Sequence, residues 1–230
     1  GIGKAAGTTM SLIPEEFPQE KVSIKKISDI LTCSIIKRLS MGKDHGVVIM
    51  AEGIAEKFDP EELGRCENVE KDETTGKIRL SDIQLGRVLK LLVKENLSSM
   101  GLQIPIVSMN IGYELRAADP IPFDIEYTKN LGYGAIRYLL KGGSGAMIVV
   151  FEGRILSMPF VEMLDSKGVV KVRKVDVKSE IYEVAREYMI RLEEEDLEGE
   201  RLKKLAKVAK IEPEAFKERF GYIVKSPLEC

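Results

Sequence analysis

The chain has few of the residues from which metal and redox sites are built. Its 230 residues include one histidine, His45, and three cysteines, Cys33, Cys66 and Cys230, spaced too widely for the C-x-x-C pairing of a zinc or thiol-redox motif. An odd, scattered set excludes a disulfide framework and reads as free thiols in a reducing cytoplasm. His45 precedes a strand with no partner in sight, which argues against a catalytic or metal role. No apolar run approaches the roughly 20 residues of a membrane-spanning helix, and no charged-then-apolar leader is present. Neither sign of charge dominates: 35 basic and 37 acidic residues leave a formal net charge of −2. No overall basic field draws the chain to nucleic acid or to a membrane surface, so any anion it binds is held by a local constellation.

What is present is ordinary globular material, 44% hydrophobic and 31% charged, long enough for one large α/β domain or a domain with a helical appendage. Gly1 to Gly7, GIGKAAG, has a G-x-G and a lysine but neither the spacing nor the preceding strand of a nucleotide loop, and reads as a small-residue helix. Thr8 to Ile13 reads as a short buried strand ending at Pro14-Glu15-Glu16-Phe17. From Val22 to Met41 apolar residues recur at steps of three and four, which predicts an amphipathic helix stopped by Gly42. His45 to Ala51 is a continuous apolar strand with Glu52-Gly53 at its end. Helix alternating with strand is what a mostly parallel sheet requires, since parallel neighbours need a crossover. The polar stretch 59–81, most turn-like at Lys71 to Lys77, reads as a surface excursion, and Asp82 as the opening of another helix. Further on, Gly145 to Phe151 and Arg154 to Phe160 predict a hairpin turning at Glu152-Gly153. Helices follow over Ser179 to Leu192, Arg201 to Lys210, and Glu212 to about Gly221.

The stretch richest in chemistry is Ile104 to Ile136. Its apolar run, Ile104 to Ile111, predicts a buried strand that ends on Tyr113, Glu114 and Arg116, and a Pro-bounded turn then launches a helix from about Phe123 to Leu140. Strand ends of an open α/β sheet face a shared crevice, which would bring Glu52 to the same rim as Arg116. An arginine there suits a phosphate, because its planar fork donates paired charge-assisted hydrogen bonds at any physiological pH. A carboxylate at position 52 suits sugar hydroxyls, and Tyr113 offers a hydroxyl with an apolar face. Structural alternatives stand beside these. Arg116 paired with Asp119 or Asp124 would pin the turn, Glu52 would be an exposed loop acid, Tyr113 a packing aromatic, and Glu15-Glu16 a cap.

Gly112-Tyr113-Glu114-Leu115-Arg116, with Asp119-Pro120-Ile121-Pro122-Phe123-Asp124 and Leu131-Gly132-Tyr133-Gly134, resembles the sugar-phosphate signature of the phosphofructokinases, nearest in wording to the pyrophosphate-dependent and long bacterial branches. Gly1 to Phe17, Ile49 to Gly53, and the segment 176–224 with Tyr188-Met189-Ile190-Arg191-Leu192 are similar to further parts of that family. The resemblance implies a phosphofructokinase-like α/β fold, a mostly parallel sheet flanked by helices with a helical C-terminal extension. It implies fructose 6-phosphate as acceptor, with Arg116 on its 6-phosphate, Tyr113 beside it, Glu52 on a sugar hydroxyl, and Asp124 closing the signature. It further implies pyrophosphate as donor, with ATP the alternative, magnesium as cofactor, and a cytoplasmic homo-oligomer or a partner chain that carries the other half.

Two departures qualify it. Val107 stands five positions before Gly112, where many members carry a basic residue that reaches a neighbouring subunit's substrate. The donor loop of Gly-Gly-Asp-Asp type and the Asp-x-Asp base and magnesium site do not occur, so no catalytic residue is expected in this chain. A chain that opens on Gly1 in mid-element reads as a fragment or processed product whose N-terminal half would supply them. Residues 1–160 are thus expected to form the acceptor domain and 161–230 a mainly helical region. A non-catalytic regulatory or interaction subunit of the same fold is the other reading.

Overall fold

A computed structural model describes residues 1–19, 21–59, 61–62 and 84–224, with the backbone alone of Tyr113. The expected surface excursion, the helix start at Asp82, and Cys66 and Cys230 lie outside the described residues. The chain forms two compact units, Gly1–Asn110 with Val175–Cys230, and Ile111–Lys174.

The first unit begins with α1 (Ile2–Ala5) and β1 (Met10–Leu12), followed by a 3-10 turn, Pro14–Glu16. Ser23 then caps α2 (Ile24–Ser40), its Oγ accepting the Lys26 N–H at 3.2 Å. β2 (Val48–Met50) returns parallel to β1 with Met10 opposite Val48, and a 3-10 helix, Glu52–Lys57, leaves its end. α3 (Leu85–Ser99) packs on α2. Residues 175–224 add α6 (Glu180–Glu187), α7 (Gly199–Ala209) and α8 (Pro213–Phe220). The last two are no surface appendage. Leu202, Leu205, Phe216 and Phe220 close a core with Ile36 of α2 and Val93 and Leu97 of α3, while Met10, Leu12, Ile27, Phe58 and Leu89 fill a neighbouring one. α2 is therefore covered on more than one side. Its Leu31 and Ile35, expected on the apolar stripe, are only partly buried, whereas Ser28, Asp29 and Thr32 are fully buried.

In the second unit, α4 (Tyr113–Arg116) is a single turn and α5 (Pro122–Leu140) the long helix expected from Phe123. α5 rests on the hairpin β3 (Ala146–Phe151) and β4 (Arg154–Pro159) through Gly134, where a Cβ would lie 2.4 Å from Ile155 Cγ2 and 2.8 Å from Ile148 Cγ2.

The α/β class holds, although the parallel sheet is a pair of three-residue strands. One expected element is absent: Ile104 to Ile111 is not a buried strand. A strand needs a neighbour to complete its hydrogen bonds, and among the described residues none pairs with this run. Ile104 and Ile106 lean half-buried on the second core, but Val107 and Met109 are 78% and 79% exposed. The predicted helix over Ser179 to Leu192 also ends early, at Glu187, and its remainder runs along β1. The C-terminal helices are packed into the same cores as α2 and α3, so Val175–Cys230 falls in one compact unit with Gly1–Asn110.

Glu152 and Gly153 turn the hairpin with φ of 48° and 72°, both left-handed, the geometry that Asn-Gly adopts most readily. Replacing Glu152 by Asn relieves the non-glycine strain there. Glu152→Asn should recover part of the roughly 1–2 kcal/mol that the left-handed conformation costs an ordinary residue, read as a higher urea midpoint at constant slope.

Candidate functional site

Glu52 opens the 3-10 helix that follows β2, and its position is set by backbone on both sides. Ala51 donates its N–H to the Leu12 carbonyl at 2.9 Å, which carries the β1–β2 ladder to its last rung. On the other side Ile54 and Ala55 are buried, and Gly53 faces the Pro14 ring, where a Cβ would lie at ordinary van der Waals distance, 3.4 Å from Pro14 Cγ. Glu52 itself is exposed at the head of this turn. A carboxylate held by rigid backbone and open to water is available to accept hydroxyl protons from a ligand.

Tyr113 and Arg116 lie in the other unit, on one helical turn closed by the Arg116 N–H donating to the Gly112 carbonyl at 3.1 Å. They therefore sit on α4 and not at the tip of a strand. Glu114 folds back so that its Oε2 accepts the Gly112 N–H at 3.1 Å, and this backbone hydrogen bonding holds its carboxyl below the usual range. That ties the glutamate to its own loop, and Arg116 on the same turn is exposed. Asp124 caps the next helix by accepting the Ile121 N–H at 3.0 Å. His45 is exposed and contacts Asp44 at 3.2 Å. Among the described residues no three His, Cys, Asp or Glu side chains converge as a metal site. Burial pushes the Cys33 thiol up, with the nearby Asp29 carboxylate adding to the rise, so this cysteine is an inert core residue. None of the described helices is long and apolar enough to cross a membrane.

A buried polar cluster in the same unit as Glu52 lies outside the expected site residues. Arg191 Nη1 donates to Glu16 Oε2 at 2.7 Å and Nη2 to Glu16 Oε1 at 2.9 Å, a two-point fork between side chains 11% and 7% exposed. Nη2 also reaches the Ser11 carbonyl, and the Tyr182 hydroxyl donates to Glu16 Oε1. The signal was legible: Arg191 is the single cation within Met189-Ile190-Arg191-Leu192, and a cation inside an apolar run must be paired where it is buried.

The chain is 51% identical over 234 residues to the pyrophosphate–fructose 6-phosphate 1-phosphotransferase of Thermotoga maritima, a match that covers 99% of this chain and 55% of that one. It is 42% identical to the protein of the same name from Naegleria fowleri, over 98% of this chain and 54% of that one. A weaker match, 25% identity over 54% of this chain, is to the ATP-dependent 6-phosphofructokinase of Amycolatopsis methanolica. No protein-family model matches. The chain belongs to the phosphofructokinase family, and it spans about half the length of the curated relatives it matches.

Tyr182 and Tyr222 both donate to buried or half-buried carboxylates, Glu16 and Asp29. Burial is the first cause that raises each phenol, and the partner carboxylate is the next. A pKa raised in the folded state means that the neutral phenol is the form folding favours. That contribution is fully present below the unfolded tyrosine pKa of about 10 and is lost as pH rises through it toward the folded value. Urea midpoints should therefore decline above about pH 10, and Tyr182→Phe with Tyr222→Phe should flatten the decline. An equally steep decline in the double variant would refute this assignment.

Proposed function

We propose that this chain supplies the acceptor side of phosphoryl transfer to the 1-hydroxyl of fructose 6-phosphate, which gives fructose 1,6-bisphosphate. The observation that carries the reading is the Gly112–Arg116 turn, where Glu114 is tied back to the Gly112 N–H and Arg116 is exposed. The turn falls within a chain similar over almost its full length to two pyrophosphate–fructose 6-phosphate 1-phosphotransferases.

The chemistry asked of these residues is positioning and charge neutralisation, which is most of what phosphoryl transfer needs from a protein. Arg116 takes the 6-phosphate, and its fixed charge keeps that grip over the whole physiological pH range. Tyr113 stands three residues before it on the same turn and contributes to the phosphate end. Glu52 accepts a sugar hydroxyl and so orients the ring, leaving the 1-hydroxyl to be phosphorylated. Pyrophosphate is the donor favoured over ATP, since the relatives at 51% and 42% identity carry the pyrophosphate name and the ATP-dependent one matches at 25% over part of the chain. Magnesium enters the reading as the donor's counter-ion, held by residues outside this chain, and no step is assigned to it here. Residues 1–160 carry the acceptor side in this reading. The working enzyme is a cytoplasmic oligomer of this chain, or pairs it with a second one.

The test is Arg116→Ala in the full-length protein. Loss of one charge-assisted phosphate contact is worth roughly 1.5–3 kcal/mol, which corresponds to a rise of about 10- to 100-fold in KM for fructose 6-phosphate. KM for pyrophosphate should stay nearly constant. Unchanged affinity and turnover for the sugar phosphate would sink the reading.

A further inference from the structure

We infer that Arg191 is a positioning residue for Glu52, acting through Glu16 and Pro14; the inference rests on Glu52 being the carboxylate that meets the sugar hydroxyl.

The path lies within one compact unit and each link is direct. The segment after α6 is laid along β1, where Ile190 donates its N–H to the Thr9 carbonyl at 2.9 Å. It is held from the other side by α2, whose Ser34 Oγ donates to the Ile190 carbonyl at 2.6 Å and whose Lys37 Nζ donates to the Arg191 carbonyl at 2.7 Å. From this fixed backbone the Arg191 guanidinium reaches the Ser11 carbonyl on β1 and grips both oxygens of Glu16. Glu16 is the last residue of the turn Pro14–Glu16, which packs on the 3-10 helix headed by Glu52. Pro14 of that turn faces Gly53, the residue next to Glu52, across a gap in which a Cβ on Gly53 would meet Pro14 Cγ at 3.4 Å, ordinary van der Waals distance. Loosening Glu16 frees the proline that backs Gly53, and with it the orientation of the first turn that presents Glu52.

A merely stabilising clamp would be an uneconomical use of this arginine. Buried ion pairs contribute little net stability against apolar packing, and Arg191 Nε is buried with no acceptor among the described residues. What the fork does supply is a fixed position: two parallel bonds in one plane define where the Glu16 carboxylate lies.

The experiment uses the full-length protein and follows KM for fructose 6-phosphate and for pyrophosphate separately. Arg191→Gln should raise the first about tenfold and leave the second within about twofold. Arg191→Lys keeps the charge but not the fork and should recover part of the loss. In a Glu52→Gln background the Arg191→Gln change should add less than about twofold, because the contact it orients is already gone. Equal shifts in both KM values, or full additivity in the double variant, would mark Arg191 as a general fold clamp and overturn the inference. Glu52→Gln with no effect on the sugar phosphate would bring down the reading of Glu52 and the inference with it, whereas an effect of Glu52→Gln without one of Arg191→Gln would remove the inference alone. Should Arg191→Gln not fold, Tyr182→Phe removes one bond to Glu16 and leaves the ion pair. It should show the same split at about two- to threefold, and no split would count against the inference.

Discussion

A carboxylate taken out of water has to be paired where it stands, and Glu16 is paired by a residue 175 positions further along the chain. The Arg191 fork, the Tyr182 hydroxyl and the Ser11 carbonyl together form a knot in which β1, the turn after it and the segment 188–192 hold one another. β1 is only three residues long and pairs with β2 on one side, so it lacks the ladder length that would fix it alone. Ile190 completes its other flank through a single backbone hydrogen bond, and Arg191 caps the next carbonyl along. The residues that lead to Glu52 are thus ordered by tertiary contacts made from the far end of the sequence.

The same device recurs where α2 meets its neighbours. Asp29 is 1% exposed and is satisfied by Asn96 Nδ2 at 2.9 Å from α3, by Lys25 one turn earlier, and by the Tyr222 hydroxyl from beyond α8. Arg219 extends this network to Asn96 Oδ1 at 3.2 Å. Asp196 is likewise buried, paired with Lys37 and accepting the Glu193 N–H at 2.9 Å. In each case an acid or its partner comes from residues 182–222, and each network also involves α2 or β1. Hydrophobic contact brings Phe216 and Phe220 to α2 without specifying rotation about its axis. A satisfied polar group among them does specify it, because any other rotation would bury that group unpaired.

This division of labour explains which parts of the fold could be read from sequence. Periodicity reports local burial, and it located α2, α5, the β3–β4 hairpin and the last two helices to within a few residues. The hairpin was the clearest case, since its turn chemistry is written in two adjacent residues. Ile104 to Ile111 misled because an apolar run records an affinity for burial and says nothing of whether a pairing strand is there to meet it. Residues 176–224 were underestimated for the converse reason: a charged sequence suggests a solvated surface, yet its acids and bases include the buried partners of α2 and β1. Arg116 and Glu52 were legible as candidates by residue type and neighbours, and the family to which they point is the one the comparisons support. Arg191 was legible only as a cation in an apolar run that needs a buried partner; that the partner is Glu16 is something no local pattern could name.

The two kinds of candidate residue differ in how the fold treats them, and the difference follows from what each must do. Glu52 and Arg116 are exposed and carried on short turns, as groups that must exchange water for a ligand need to be. Glu16 and Arg191 are buried and mutually saturated, so neither is available to a ligand in this arrangement. A binding carboxylate on a three-residue strand end would be poorly defined if it relied on its own segment, since a short strand and a single 3-10 turn resist little deformation. In the proposed arrangement, Pro14 backs that turn and is itself fixed through a bidentate ion pair two residues on, so the rigidity of the helical core would reach the exposed acid while its charge stays in water. A side chain proposed to meet a ligand and one proposed to keep it in place have opposite solvation requirements, and in this chain the exposed Glu52 and the buried Arg191 come from opposite ends of the sequence.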